Sequence, residues 1–269
     1  MISLKSLYNF FYINGLLVTM GTVQYLTTNY SNNIVFKFAL TFLDFSFKNY
    51  FFVKFIDYNL RNREKIKNDV TEEEYKNEFV LAFLSSTLVE TVTYMIITAL
   101  LFHNSQINYF YDLLYFIPLS FVFEFIFDFF HYWTHRISHT NLFLYKYSHK
   151  SHHKYINPIP ILTFYHNPID LIITNSIPQI LTLLIFPYLS LYQYNLILVY
   201  KSFIEVGGHS GKKLYPTSSF PQFIWLPKVL GIKLYTEDHH LHHYQNNCNY
   251  AKRFSFWDKL FGTYKKSLY

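Results

Sequence analysis

One cysteine, Cys248, is all the thiol in 269 residues. That excludes an internal disulfide, and it leaves no thiolate cluster for a finger-type zinc site or an iron–sulfur centre. Cys248 stands beside a histidine-rich segment, where it reads as a bystander. Charge is scarce at 15% of residues, while hydrophobic residues make up 51% and aromatics 22%. This balance departs from that of a soluble domain and points to a membrane. Lysine and arginine are missing altogether from 79–128 and 171–200. No recognised nucleic-acid motif accompanies the net charge of +6, so the basic excess is read as loops facing an anionic leaflet. There is no internal repeat, no low-complexity segment and no small-residue cleavage site. Lys5 followed by an apolar run reads as a signal anchor.

What is present is a series of apolar stretches. Residues 7–26 carry no charge and are long enough to span. Residues 34–56 are apolar but hold Lys37, Asp44, Lys48 and Lys54, which suits an interfacial helix as well as a span. A charged linker follows over 61–78. Residues 79–130 read as a transmembrane hairpin whose polar turn, with His103, faces away from the cytosol. Residues 171–203 read as a second hairpin folded at Pro187. The expected fold is an all-α polytopic membrane protein with a cytosolic, histidine-rich helical cap (131–170 and 204–269) holding a dimetal site. Residues 1–78 are expected to be membrane or interfacial helices plus the linker, and 79–269 the catalytic domain.

The segment 131–153 holds six histidines, and HHLHH follows at 239–243. His131 and His135 are spaced i, i+4. His149, His152 and His153 are spaced i, i+3, i+4, as are His239, His242 and His243. On a helix each set lies on one face. A lone histidine is more often solvated or core, but three such sets together point to metal. Eight imidazoles exceed what one ion takes, so two ions are expected.

Other residues attach to these sets. His139, four after His135, is a ligand or faces a ligand or substrate. His209 in GGHSG is the best candidate ligand outside the sets. His166 and Asp170 in FYHNPID stand at the mouth of the second hairpin. Asp128, three before His131, is expected to accept a ligand N–H, with Glu124 one turn deeper. Glu237 and Asp238 are candidates for the same role in the third set, while His240 points off its ligand face. Imidazole suits Fe, Zn, Cu and Ni alike. An all-nitrogen set disfavours a two-metal hydrolase, which would mix in carboxylates. A closed zinc site needs only four ligands, which speaks against a non-catalytic zinc protein.

The pattern HYWTH, HKSHH and HHLHH, with FYHNPID, GHSG and NYAKRFSFWDKLFGT, resembles the sterol desaturase and fatty-acid hydroxylase superfamily over 110–266. Within it, HRISH, KYSHKSHH, HSG and the NYA–WDKLFGT ending look most like C-4 methylsterol monooxygenases. The chain departs from them in lacking an acidic residue near the HSG, and in Asp238 where they tend to have a further histidine. The resemblance implies a di-iron centre on the cytosolic face of the endoplasmic reticulum membrane. It implies O2 as oxidant, with electrons from NAD(P)H through a reductase and cytochrome b5. It makes His131, His135, His149, His152, His153, His239, His242 and His243 metal ligands, with His209 matching an extra histidine and His166 another family position. The implied activity is an O2-dependent oxidation of a sterol C-4 methyl group in sterol biosynthesis. The alternative is the same chemistry on another lipid: a sterol 25- or C-5 position, a sphingoid base or a fatty acyl chain.

Overall fold

The computed structural model describes residues 4–66, 76–102, 106–155, 158–214 and 219–266. His103 and much of the charged linker lie outside these. Among the described residues there is no β-strand, only an isolated antiparallel bridge between Lys65 and Lys212. The protein is all-α. Six helices come first: α1 (Leu4–Thr28), α2 (Ile34–Leu60), α3 (Lys76–Leu101), α4 (Tyr109–Leu114), α5 (Phe116–Thr140) and α6 (Leu142–Leu144). Then follow α7 (Pro168–Leu171), α8 (Ile177–Ile185), α9 (Leu191–Gly208), α10 (Leu226–Val229), α11 (Thr236–Gln245) and α12 (Phe256–Leu260).

The central element is α9. Every residue from Leu191 to Ser202 is buried, and α1, α2 and α5 pack against it. A capping box starts it: the Ser190 side chain accepts from the Gln193 backbone while the Gln193 side chain accepts from the Ser190 N–H. Gly21 lets α1 approach, since a Cβ there would stand 2.6 Å from Leu196 Cδ2. Leu17, Phe45, Phe52, Tyr94, Phe123 and Leu196 join one core, so the N-terminal helices are part of the same packed body as the histidine-bearing ones.

Among the described residues, three helical stretches have the length and apolarity to cross a membrane: Phe79–Leu101, Phe116–Thr140 and Pro168–Ile185. α1, with 25 residues, and α2, with 27, are also long enough. Both expose apolar side chains outward, among them Phe11 and Val23 on α1 and Leu43 and Phe47 on α2. Residues 186–190, around Pro187, break the helix between α8 and α9, and the C-terminal end of α9 brings His209 to His152, on which His166 stacks.

α5 runs well past its apolar segment. Its last ten residues, 131–140, carry His131, His135 and His139. The third set also lies on one α-helix, α11. The second set corrects the expectation of an α-helix for each. Residues Tyr145–His149 form a π-helical turn, closed by the Lys150 N–H on the Tyr145 carbonyl at 2.8 Å, and His152–Lys154 form a 3-10 turn. The wide turn followed by the tight one re-aims the three rings, so they converge by a route that α-helical spacing does not describe.

Candidate metal centre

Two groups of imidazoles result. His135, His139, His149, His153 and His242 form one, and His152, His209, His239 and His243 the other. Within each group one ligand nitrogen per residue lies within 4.8 Å of all the rest. The Nε2 atoms approach closely: His149 to His139 at 2.8 Å, His153 to His149 at 3.1 Å, His139 to His242 at 3.2 Å. In the second group His239 stands 3.2 Å from His209 and 3.3 Å from His243. Two nitrogens at right angles around an ion at about 2.1 Å would be about 3.0 Å apart, and about 3.4 Å apart at a tetrahedral angle. The observed spacings are those of a coordination shell.

The far sides of the rings settle the tautomers. Nδ1 of His149 faces Asp170 Oδ1 at 2.8 Å, that of His242 the Cys248 carbonyl at 2.7 Å, and that of His135 the Tyr250 carbonyl at 2.8 Å. His209 Nδ1 faces the Glu205 carbonyl at 2.8 Å and His131 Nδ1 the Thr174 carbonyl at 2.6 Å. These oxygens only accept, so Nδ1 carries the proton and Nε2 presents a lone pair. Lone pairs gathered on one point repel unless a cation lies between them. The donor set therefore fits metal, and outer hydrogen bonds of this kind orient a ligating ring and raise its basicity.

The expected residues fall into place as follows. His139 sits inside the first group, and His209 inside the second. His131 belongs to neither group but lines the small space between them, with His135, His149, His152, His209 and His239. His166 lies outside both. It stacks on His152 with centroids 4.1 Å apart and bonds Asp170 Oδ2 through Nδ1 at 3.1 Å. His240, which the spacing put off the ligand face, is in neither group. Asp170 thus reaches a first-group histidine directly and a second-group histidine through His166. Its i, i+4 spacing from His166 was the sequence signal for that role.

Asp128 requires correction. It takes no histidine N–H. Its carboxylate accepts the backbone N–H groups of Lys252 at 2.6 Å, Arg253 at 2.9 Å and Phe254 at 2.9 Å. Asp258 accepts those of Tyr250 and Ala251 at 2.8 and 2.9 Å. Together they pin the strip whose Tyr250 carbonyl holds His135. Asp238 accepts the Tyr235 N–H at 3.1 Å, at the start of α11. Glu124 pairs with Arg253 Nε at 3.3 Å and accepts from Gln222 at 2.6 Å. Cys248 contributes its carbonyl, and its buried thiol lies 3.7 Å from Gln245 Oε1.

Residues 120–263 match the fatty acid hydroxylase family. That stretch is more than half of the chain and holds both histidine groups. The protein belongs to the fatty acid hydroxylase family. A Lecanicillium fatty acid hydroxylase is 32% identical over 51% of this chain and 39% of its own length. A C-4 methylsterol oxidase of Schizosaccharomyces pombe is 28% identical over 53% and 45%. A putative methylsterol monooxygenase of Dictyostelium discoideum is 34% identical over 56% and 53%. The chain thus spans about half or less of the length of these curated relatives. No solved structure matches it. Members of this family are oxygen-dependent lipid oxidoreductases, and the histidine groups of this chain could bind metal.

Among the described residues, two spaces adjoin the histidine groups. The one between the groups has a volume of about 30 Å³, room for a water or a molecule of similar size. The other, of about 210 Å³, reaches His209 and His239 and has apolar walls that include Ile56, Leu60, Phe203, Ile204 and Leu234. Gly211 shapes the loop beyond His209. Its φ is +64°, and a Cβ there would stand 2.5 Å from the Pro158 carbonyl.

Burial keeps the imidazoles neutral, the form that binds metal. Desolvation lowers His209 to about 4 and His242 to about 3, and holds His152, His153, His239 and His243 well below their ordinary 6.5. Unfolded, these rings take up protons as the pH falls through 6.5. Folded and metal-free, they do not until far lower. The stability these neutral rings give the metal-free protein is therefore fully present above 6.5 and is lost as the pH falls below it. Thermal melts of metal-stripped protein in detergent should show the midpoint falling steeply from pH 7 to pH 5; a flat profile would contradict neutral burial.

Proposed function

We propose that this chain is a membrane-bound di-iron monooxygenase that oxidises the C-4 methyl group of a sterol. The observation that carries the reading is an all-imidazole set in two groups, opening on an apolar cavity. Two irons held there would supply the activation of dioxygen. The net change per step is RH + O2 + two electrons + two protons to ROH + H2O, with the electrons drawn from NAD(P)H through a reductase and cytochrome b5.

The chain's own residues bind and orient. The nine imidazoles of the two groups, with His131 beside them, would hold the irons. Asp170 and the carbonyls of Cys248, Tyr250 and Glu205 keep His149, His242, His135 and His209 in the ligating tautomer. The apolar walls exclude water from the reacting carbon. We place the site on the cytosolic face of the endoplasmic reticulum membrane, because basic loops flank the histidine-bearing ends of the apolar helices. Residues 79–269 are read as the catalytic unit, and 1–78 as membrane or interfacial helices and a charged linker.

The C-4 methyl group is favoured by HRISH, KYSHKSHH, HSG and the NYAKRFSFWDKLFGT ending. The other reading, the same oxidation on another lipid, is favoured by a Δ7-sterol 5(6)-desaturase and a sphinganine C4-monooxygenase among the relatives. Lipid profiling of cells lacking the chain separates the two. Accumulated 4,4-dimethylsterols, cleared by re-expression, support the C-4 reading. Normal sterols with altered sphingolipids or fatty acids overturn it.

A further inference from the structure

We propose that the lipid enters the large cavity oxygen first, its hydroxyl or carbonyl held by Lys252 and Arg253 beside His209 and His239. The carbon oxidised then lies within a few bonds of that oxygen. The inference rests on the reading that a lipid is oxidised here, and it narrows the class of lipid.

The cavity is not uniform. Its walls are apolar, but its lining also includes Glu205, Lys252 and Arg253. Glu205 and Lys252 line the small space between the metal groups as well, as do His209 and His239. The partition between substrate space and metal space is therefore ionic. An alkyl tail pressed against it would strip water from charged groups and return nothing.

The partition has more donors than acceptors. Three cations, Lys201, Lys252 and Arg253, share Glu205 Oε1 at 3.5, 3.0 and 3.3 Å. Glu124 takes Arg253 Nε, while the third carboxylate nearby, Asp128, is occupied by the backbone N–H groups of Lys252, Arg253 and Phe254. The Lys252 ammonium has three N–H groups, and two are directed at Glu205 and at Asn175 Oδ1, the latter at 3.0 Å. Its side chain is 14% accessible, although the chain around it is buried. Arg253 is 1% exposed, and its Nη1 is buried without a hydrogen-bond partner. A surplus of buried donors recognises an oxygen acceptor.

This places the reaction near the polar end of the lipid. A C-4 methyl beside a 3-hydroxyl meets the requirement, and so does a sphingoid carbon beside its hydroxyl. A sterol side-chain terminus does not.

The test is binding of lipid pairs to the purified, metal-loaded full chain in detergent. One pair is a 4,4-dimethylsterol and its 3-deoxy analogue, and the other is sphinganine and its 3-deoxy analogue. In whichever class binds, loss of the oxygen should weaken affinity about ten- to hundred-fold. Lys252→Met should level the two members of the pair, and Lys252→Arg should restore the difference, with metal content unchanged in both. Equal affinities within the pair for the wild-type chain overturn the proposal, and that comparison needs no variant. Absence of binding by either class overturns it too. Binding of sphingoid bases alone defeats the C-4 sterol reading, while the ratio within the pair still judges the oxygen-first inference.

Discussion

A His149→Ala variant should fold and yet lose metal from the five-histidine group, with turnover falling by about three orders of magnitude, or about 4 kcal/mol of barrier. His149 is the pivot of that group. Its Nε2 lies 2.8 Å from that of His139 and 3.1 Å from that of His153. His135 and His242 cannot swing into the gap, because each is fixed through Nδ1 to a backbone carbonyl. Asp170→Asn provides the graded comparison. It leaves every imidazole in place but removes the charge behind His149, and such outer partners are worth about 10–100-fold in metal affinity. His152→Ala should act on the four-histidine group instead. Metal per chain after reconstitution, read beside turnover, checks all three. A His149→Ala protein with wild-type metal content and rate would remove the first group from the mechanism.

Asp128→Ala should be the most destabilising single change near the site. It strands three backbone N–H groups that converge on one buried carboxylate. Each stranded donor costs about 1–3 kcal/mol, so the total is at least about 3 kcal/mol. In a chain of this size that corresponds to a melting shift of about 6–12 °C. Asp128→Asn keeps one acceptor oxygen but turns an amide N–H toward a backbone N–H, and should fall between. The Tyr250 carbonyl that orients His135 lies in the strip these bonds anchor, so metal retention should fall along with the melting temperature. An Asp128→Ala protein melting with the wild type would mean the strip is held by other contacts.

The i, i+4 pattern of His131, His135 and His139 was readable because α5 is a regular helix, and that of His239, His242 and His243 because α11 is another. The second set was readable as a cluster but not as a shape, since a π turn and a 3-10 turn leave no simple periodicity. His139 had two roles open to it in the sequence, and its place beside His149 depends on a segment ten residues further along. Asp128 shows the limit most clearly. Its position on the helix allowed a histidine partner, while its actual partners are N–H groups 124 to 126 residues away. Backbone carbonyls such as those of Thr174, Cys248 and Tyr250 carry no residue-type signal at all. Lys252 and Arg253 read as part of a basic tail, and only burial beside Glu205 gives them a place at the site.

Residue type and spacing alone settled that the chain is helical and rich in membrane-crossing apolar stretches, and that it carries more imidazole than any structural purpose needs. Those properties are local: hydrophobic runs, helical period and the chemistry of a side chain exist before the chain folds. Tertiary packing decided how nine rings divide into two groups and which nitrogen of each faces inward. It also placed Glu205 and Lys252, with His209 and His239, in the lining of both the apolar cavity and the small space between the histidine groups. These are relations between segments far apart in sequence, fixed by how α5, α9 and α11 meet.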